Sequence, residues 1–218
     1  GQNCCYVIAQ HMSPTHKSML VQLLSRETSL AVEEIQNPTL PQANTIYIPP
    51  PGHDVIFENG SFVLRKPLGH PAAPKPSADR LFKSLAQEKR EHAIGIVLSG
   101  TGSDGTYGIQ AIREASGITI AQEPGSSKYD SMPVSAIRTG CVDLTLPPQQ
   151  IGQHLGLILQ RPRDLSSLRL IQDDRTRNTD LYQILLAHTM VDFRQYKEST
   201  INRRVHRRMI AKGIEDFD

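Results

Sequence analysis

A histidine and an aspartate, each beyond the end of an apolar run, are the residues of this chain best suited to chemistry. His11 follows Tyr6-Val7-Ile8-Ala9, a stretch read as a buried parallel strand. Asp104 lies in Leu98-Ser-Gly-Thr-Gly-Ser-Asp104-Gly-Thr-Tyr-Gly108, a glycine-rich turn between a predicted strand and a predicted helix. Open α/β sheets bind ligands beyond the carboxyl ends of their strands, so two such loops can face each other across a crevice. A carboxylate at a helix N-terminus stays ionised and can orient an imidazole. The pair then lacks only a nucleophile for acyl transfer. Ser13 is expected to cap a helix with Pro14 at its first position, and Ser18 to lie on that helix. Neither replaces the missing group.

The same turn has a second reading. Gly100-x-Gly102-x-x-Gly105 formally matches a dinucleotide fingerprint, and Glu123 lies near the spacing of a ribose-binding acid. Against it, Asp104 at the helix N-terminus is expected to take the amides that a pyrophosphate needs, and to repel the ligand. A metal site at His11 and His16 fits poorly, because Pro14 intervenes and no cysteine or acidic cluster completes a shell.

The elements that must position these residues alternate. After the first strand and helix, the helix carrying Met19, Leu20, Leu23 and Leu24 on one face, Thr45-Ile46-Tyr47-Ile48 is a strand stopped by three prolines. Val55-Ile56-Phe57 and Phe62-Val63-Leu64 flank Asn59-Gly60, a hairpin signal. Residues 67–76 read as a surface loop, and Ser77 starts a helix with Leu81, Phe82 and Leu85 inward. Strand and helix then alternate to about Leu159, as in a parallel sheet with helices on both faces. The expected fold is α/β: an open, mostly parallel, doubly wound sheet with a β-hairpin lobe, followed by a small all-α domain. The boundaries are placed at 1–160 for the α/β domain, 161–178 for a polar linker and 179–218 for the helical part.

Bulk properties exclude more than they assign. The net charge of +2 makes no global case for nucleic acid, and no run of eighteen apolar residues is present to insert in a membrane. Cys4, Cys5 and Cys141 build no disulfide framework, which fits a reducing cytoplasm, and Cys141 reads as apolar filler. The local exception is Arg203-Arg204-Val205-His206-Arg207-Arg208 on the last predicted helix. Its arginine pairs at i and i+4 form a candidate surface for an acidic partner. The opening Gly-Gln-Asn and the closing Glu-Asp-Phe-Asp read as ends cut from something longer.

Several separate motifs resemble the CheB-type protein-glutamate methylesterases of bacterial chemotaxis: Val-Ile-Ala-Gln-His11-Met-Ser-Pro, Tyr-Ile-Pro-Pro, Pro-Ser-Ala-Asp79-Arg-Leu-Phe, the Asp104 turn, and Ala121-Gln-Glu-Pro…Tyr129-Asp-Ser-Met132-Pro. The tail from Tyr196 to Met209 is similar to the N-terminal helical domain of CheR-type receptor methyltransferases, so the whole looks like a middle portion of a fusion. The resemblance implies hydrolysis of glutamyl methyl esters, and deamidation of glutamine, on the cytoplasmic helices of methyl-accepting chemoreceptors. It puts the catalytic His on His11 and the catalytic Asp on Asp104, with Thr101 and Gly102 in the oxyanion region. It implies receptor binding by Arg203, Arg204, Arg207 and Arg208. The esterase part needs no cofactor, whereas S-adenosylmethionine would serve a methyltransferase domain that is absent here. The family's serine turn, Gly-x-Ser-x-Gly-Gly, occurs nowhere in this sequence. A nucleotide-binding module and a non-catalytic signalling scaffold therefore stand as alternatives.

Overall fold

The computed structural model describes residues 4–11, 19–68, 76–160, 175–196 and 198–214. The chain divides into two units, Gly1–Leu155 and Gly156–Asp218.

In the first unit, β1 (Tyr6–Val7) and β2 (Ala31–Glu34) both pair in parallel with β3 (Thr45–Ile48), giving the order β1-β3-β2. Alternation along the first segment turns Cys5, Val7 and Ala9 onto one core of Ile35, Tyr47, Val55, Phe57, Phe62 and Leu81. The hairpin forms as expected: β4 (Asp54–Glu58) pairs antiparallel with β5 (Ser61–Arg65). Asn59 and Gly60 between them have φ of 51° and 78°, the left-handed pair that a tight two-residue turn demands. Phe62 sets its ring 5.2 Å from both Tyr47 and Phe57, tying the hairpin to β3.

The second half runs α2 (Ala78–Lys89), β6 (Ile94–Val97), α3 (Thr106–Glu114), β7 (Ile118–Gln122), α4 (Ser131–Arg138), β8 (Leu144–Leu146) and α5 (Pro148–Gln160). Its strands form a parallel sheet in the order β6-β7-β8. Every residue of the central β7 is buried, and its polar members have partners. Asp143 accepts from the Thr119 amide and hydroxyl and pairs with Arg113.

The open, mostly parallel α/β arrangement forms as expected; among the described residues its parallel strands are hydrogen-bonded in two sets of three, with β1 and β6 each at an edge. Two expectations need correction. Strand β2 was not anticipated, because three of its four residues, Ala31, Glu33 and Glu34, are exposed and give no apolar alternation. Helix α1 (Leu20–Glu27) has no buried residue, and Met19 and Leu23 are 64% and 54% exposed, so its apolar face is only partly covered. The proposed cap at Ser13, together with Pro14 and Ser18, lies outside the described residues.

In the second unit, α6 (Arg175–Thr189) and α7 (Glu198–Lys212) are joined through a 3-10 turn at Phe193–Gln195. Of the expected linker, 161–174 lies outside the described residues, and α6 starts at Arg175. Its first residues are all polar, so no hydrophobic period announced them.

Helices α2 and α3 cross closely because residue 108 lacks a side chain: a Cβ there would lie 2.5 Å from the Phe82 Cβ. Alanine normally improves a helix interior, but here it would force the helices apart. We expect Gly108→Ala to destabilise the first unit by about 1–3 kcal/mol. Urea unfolding should show a lower midpoint at unchanged slope; a raised midpoint would mean the crossing is loose.

Candidate active site

His11 leaves the end of β1 and Asp104 sits between β6 and α3. The fold brings them together, with His11 Nε2 3.0 Å from Asp104 Oδ2. The histidine side chain is 30% exposed and the aspartate 8%, so the imidazole can be reached while the carboxylate is shielded. With Nε2 on Asp104, Nδ1 is the nitrogen left to face a reacting group.

The carboxylate is held more firmly than one histidine could hold it. Oδ2 accepts the Ala78 amide at 2.6 Å, and Oδ1 accepts the Asp79 amide at 3.0 Å and the Ser77 hydroxyl at 3.3 Å. The Gly105 amide adds a further bond at 3.0 Å. This corrects the expected geometry: Asp104 takes one amide of its own loop, but its other amide donors belong to the first turn of α2. A helix start carries unpaired N–H groups and a partial positive charge, which a carboxylate satisfies. Burial acts to raise the Asp104 pKa. The His11 hydrogen bond, the Ala78 and Asp79 amides and the His11 charge outweigh it, holding Asp104 below the usual carboxylate range.

The start of α2 is itself braced. Ser77 caps it by accepting from the Arg80 amide, and the Ser77 amide donates to Asp54 Oδ1 at 2.8 Å. Asp54, on the hairpin strand β4 and only 1% exposed, also pairs with Arg80 at 2.5 Å. Asp79 Oδ1 accepts the Gly108 amide of α3 at 2.6 Å. Burial pushes the Asp79 pKa up; the Gly108 amide opposes this and the charge of Asp104 adds to it.

The loop before Asp104 is pinned from the other side. Gln122 Oε1 accepts the Ser99 amide, the Gly100 amide donates to the Tyr129 carbonyl, and the Met132 amide returns to the Gly100 carbonyl. A Cβ at Gly100 would lie 2.4 Å from Met132 Sδ, so a side chain there would displace the end of the Met132 side chain. Thr101 and Gly102 are exposed on the loop, and Gly102 has φ of 89°. Sequence reasoning assigned no role to Asp54, Asp79 or Gln122, and read Ser77 only as the start of a helix. A signal was present for two of them, since Ser77 followed by Asp79 is a cap with an acid in the first turn.

The CheB methylesterase family model matches residues 1–155. The chain belongs to the CheB methylesterase family. The model for the CheR methyltransferase all-alpha domain matches residues 180–218. The chain is 36% identical over 162 residues to protein-glutamate methylesterase/protein-glutamine glutaminase 1 of Myxococcus xanthus, covering 73% of this chain and 47% of that protein. It is 31% identical over 221 residues to an uncharacterized 104.1 kDa protein of Rhodobacter capsulatus, covering 91% of this chain and 23% of that one. Among solved structures, the CheB methylesterase catalytic domain of Thermotoga maritima matches with a TM-score of 0.64 at 27% identity, covering 68% of this chain and 80% of that one. The chain thus spans less than half the length of these two relatives.

In the second unit, Arg204 and Arg208 are exposed on α7, whereas Arg207 is only 7% exposed and does not belong to an exposed basic face. The Arg203 side chain and His16 lie outside the described residues. No helix among the described residues is long and apolar enough to cross a membrane.

The charge on Asp104 has a pH signature. Because its folded pKa is depressed, its stabilisation is present above the unfolded value near 3.9 and is lost as pH falls through the folded value. Asn offers one acceptor oxygen in place of two, stranding donors on one side. Asp104→Asn should therefore cost about 1–3 kcal/mol at pH 7, and the gap to the parent should close in acid. Denaturant unfolding of both proteins across that range checks this; a pH-independent gap would contradict the ionised carboxylate.

Proposed function

We propose that this chain is the acid–base half of a methylesterase site that hydrolyses glutamyl methyl esters on the cytoplasmic helices of chemoreceptors. The observation that carries the reading is the His11–Asp104 hydrogen bond at 3.0 Å, formed between two strand-end loops. A serine oxygen attacks the ester carbonyl and gives its proton to His11 Nδ1. His11 then protonates the departing methoxide, methanol leaves, and water repeats the sequence on the acyl-enzyme. Asp104 holds the Nε2–H tautomer and stabilises the imidazolium. Amide N–H groups of the Thr101–Gly102 turn bind the oxyanion, as donors at such loops do. The same steps applied to a glutamine side chain release ammonia, which is the deamidation reading.

The serine belongs to a Gly-x-Ser-x-Gly-Gly turn that these 218 residues do not contain. Among the described residues β1 and β6 are edge strands, which supports a place for it, since those strands lead to His11 and Asp104. A parallel strand added there would end at the same side of the sheet. The working compartment on this reading is the cytoplasm, where receptor methylation helices lie.

The nucleotide reading is disfavoured by the amides. The Gly105 amide is taken by Asp104 and the Gly108 amide by Asp79, so two N–H groups a pyrophosphate would use at α3 are already paired. S-adenosylmethionine does not fit the helical unit either. Its described residues are the end of α5, helices α6 and α7 and a 3-10 turn, with no strand–glycine loop–helix turn among them to cradle the cofactor. No step here uses it.

On this reading the 218-residue chain alone shows no hydrolysis of a methylated receptor or of an activated ester. Supplying the serine strand and turn should restore activity. His11→Ala or Asp104→Asn in that longer protein should remove it by on the order of a hundredfold to ten-thousandfold. Brisk turnover by the present chain, or indifference to His11, would sink the proposal and favour a scaffold role.

Receptor binding by α7 is a separate part of the reading, resting on exposed Arg204 and Arg208 one turn apart. Association with an acidic receptor helix should weaken steeply with salt, because exposed charges are screened within about 8 Å at physiological ionic strength. Arg204→Gln with Arg208→Gln should abolish that salt dependence in a titration with a Glu-rich peptide. Undiminished affinity in a folded variant would remove Arg204 and Arg208 from the site.

A further inference from the structure

We propose that Asp79 is a positioning residue for the His11–Asp104 pair, acting by closing a hydrogen-bonded ring between the starts of α2 and α3. The proposal rests on the reading of that pair as the acid–base element. The ring can be traced atom by atom. Asp104 is followed by Gly105, Thr106, Tyr107 and Gly108, the first turn of α3. The Gly108 amide donates to Asp79 Oδ1 at 2.6 Å, and the Asp79 amide donates to Asp104 Oδ1 at 3.0 Å. One residue thus holds the catalytic carboxylate with its backbone and holds the helix behind that carboxylate with its side chain.

Each helix start is capped by a carboxylate from the other. Asp104 receives the Ala78 and Asp79 amides of α2, and Asp79 receives the Gly108 amide of α3. The exchange is possible because Gly108 lets α3 approach Phe82 of α2. The charged groups facing the ring are His11, on Asp104, and Lys83, near Asp79; Asp54, one step outside it, is paired with Arg80. Two like-charged carboxylates side by side repel, so this arrangement carries a cost that a cap remote from Asp104 would avoid. What the placement achieves is a double tie to one turn of α2: the Asp79 amide holds Asp104, and the Asp79 carboxylate holds the first turn of α3 that follows it. Opening the ring frees the first turn of α3, and with it the direction in which Asp104 presents Oδ2 to His11.

The charge and the acceptor atom of Asp79 predict opposite signs at Asp104. If Asp79 acts only as a nearby charge, Asp79→Ala and Asp79→Asn both remove repulsion and lower the Asp104 pKa. If it acts as a cap, Asp79→Ala loosens the amides on Asp104 and raises that pKa towards the ordinary value. Asp79→Asn, which keeps an acceptor for Gly108, does not raise it. NMR of this 218-residue chain reads both the Asp104 carboxyl titration and the exchange of the His11 Nε2 proton. We expect Asp79→Ala to raise the Asp104 pKa and to speed that exchange on the order of tenfold, the size of one lost hydrogen bond. Asp79→Asn should restore the parent exchange rate. A lowered Asp104 pKa in both variants overturns the proposal, as does Asn that fails to rescue, or a destabilised Ala variant whose His11 signal is unmoved. Asp104→Asn in the same spectra separates the two readings. If His11 ignores that change, the pair itself is wrong; if it responds to residue 104 but not to residue 79, only this inference falls.

Discussion

A buried carboxylate must find donors, and Asp104 finds them at the start of α2. Five hydrogen bonds converge on its two oxygens, and only one comes from the histidine it orients. The others come from Ser77, Ala78, Asp79 and Gly105, groups whose positions are set by how α2 and α3 pack. The His–Asp geometry is therefore a property of the helix crossing rather than of the two loops. It also explains how a group at 8% exposure keeps its charge: the donors were already present as the unpaired N–H groups of a helix start.

The crossing is organised around Phe82. This residue packs against three apolar clusters among the described residues, and a Cβ at Gly95, Gly105 or Gly108 would each approach it within 3.9 Å. Glycines in the turn thus serve two ends. Gly105 supplies a left-handed residue at φ 90° where α3 begins, and Gly108 removes the bulk that would separate the helices. The glycine spacing that mimics a dinucleotide fingerprint is used here for close packing and for presenting a carboxylate. A pyrophosphate-binding loop needs its amides vacant, whereas this one has paired Gly105 and Gly108.

The hairpin contributes at one remove. Asp54 of β4 ties the Ser77 amide and Arg80 together, so the antiparallel lobe fixes the start of α2, which in turn fixes Asp104. On the opposite side, Gln122 of the fully buried β7 and the backbone of Tyr129 hold Ser99 and Gly100. Motifs far apart along the chain prove to be neighbours because each meets a backbone group that the loop would otherwise leave unpaired.

The α/β class, the hairpin at Asn59-Gly60 and the helix from Ser77 were all legible in the sequence, because each follows from a local rule about period, turn conformation or capping. So was the pairing of His11 with Asp104, since both follow strands that had to be parallel. Strand β2 was hidden, because an exposed Ala-Val-Glu-Glu segment has no alternation to read. The polar start of α6 was hidden likewise, and the burial of Arg207 could not be told from the helical wheel alone. The helix that caps Asp104 could not be chosen from the sequence either. Local reasoning assigns a carboxylate to the helix that follows it, and only the crossing at Gly108 hands Asp104 to α2 and Asp79 to α3. Capping is short-ranged in space but not along the chain, so the sequence names the donors and acceptors while the packing of two helices decides which of them meet.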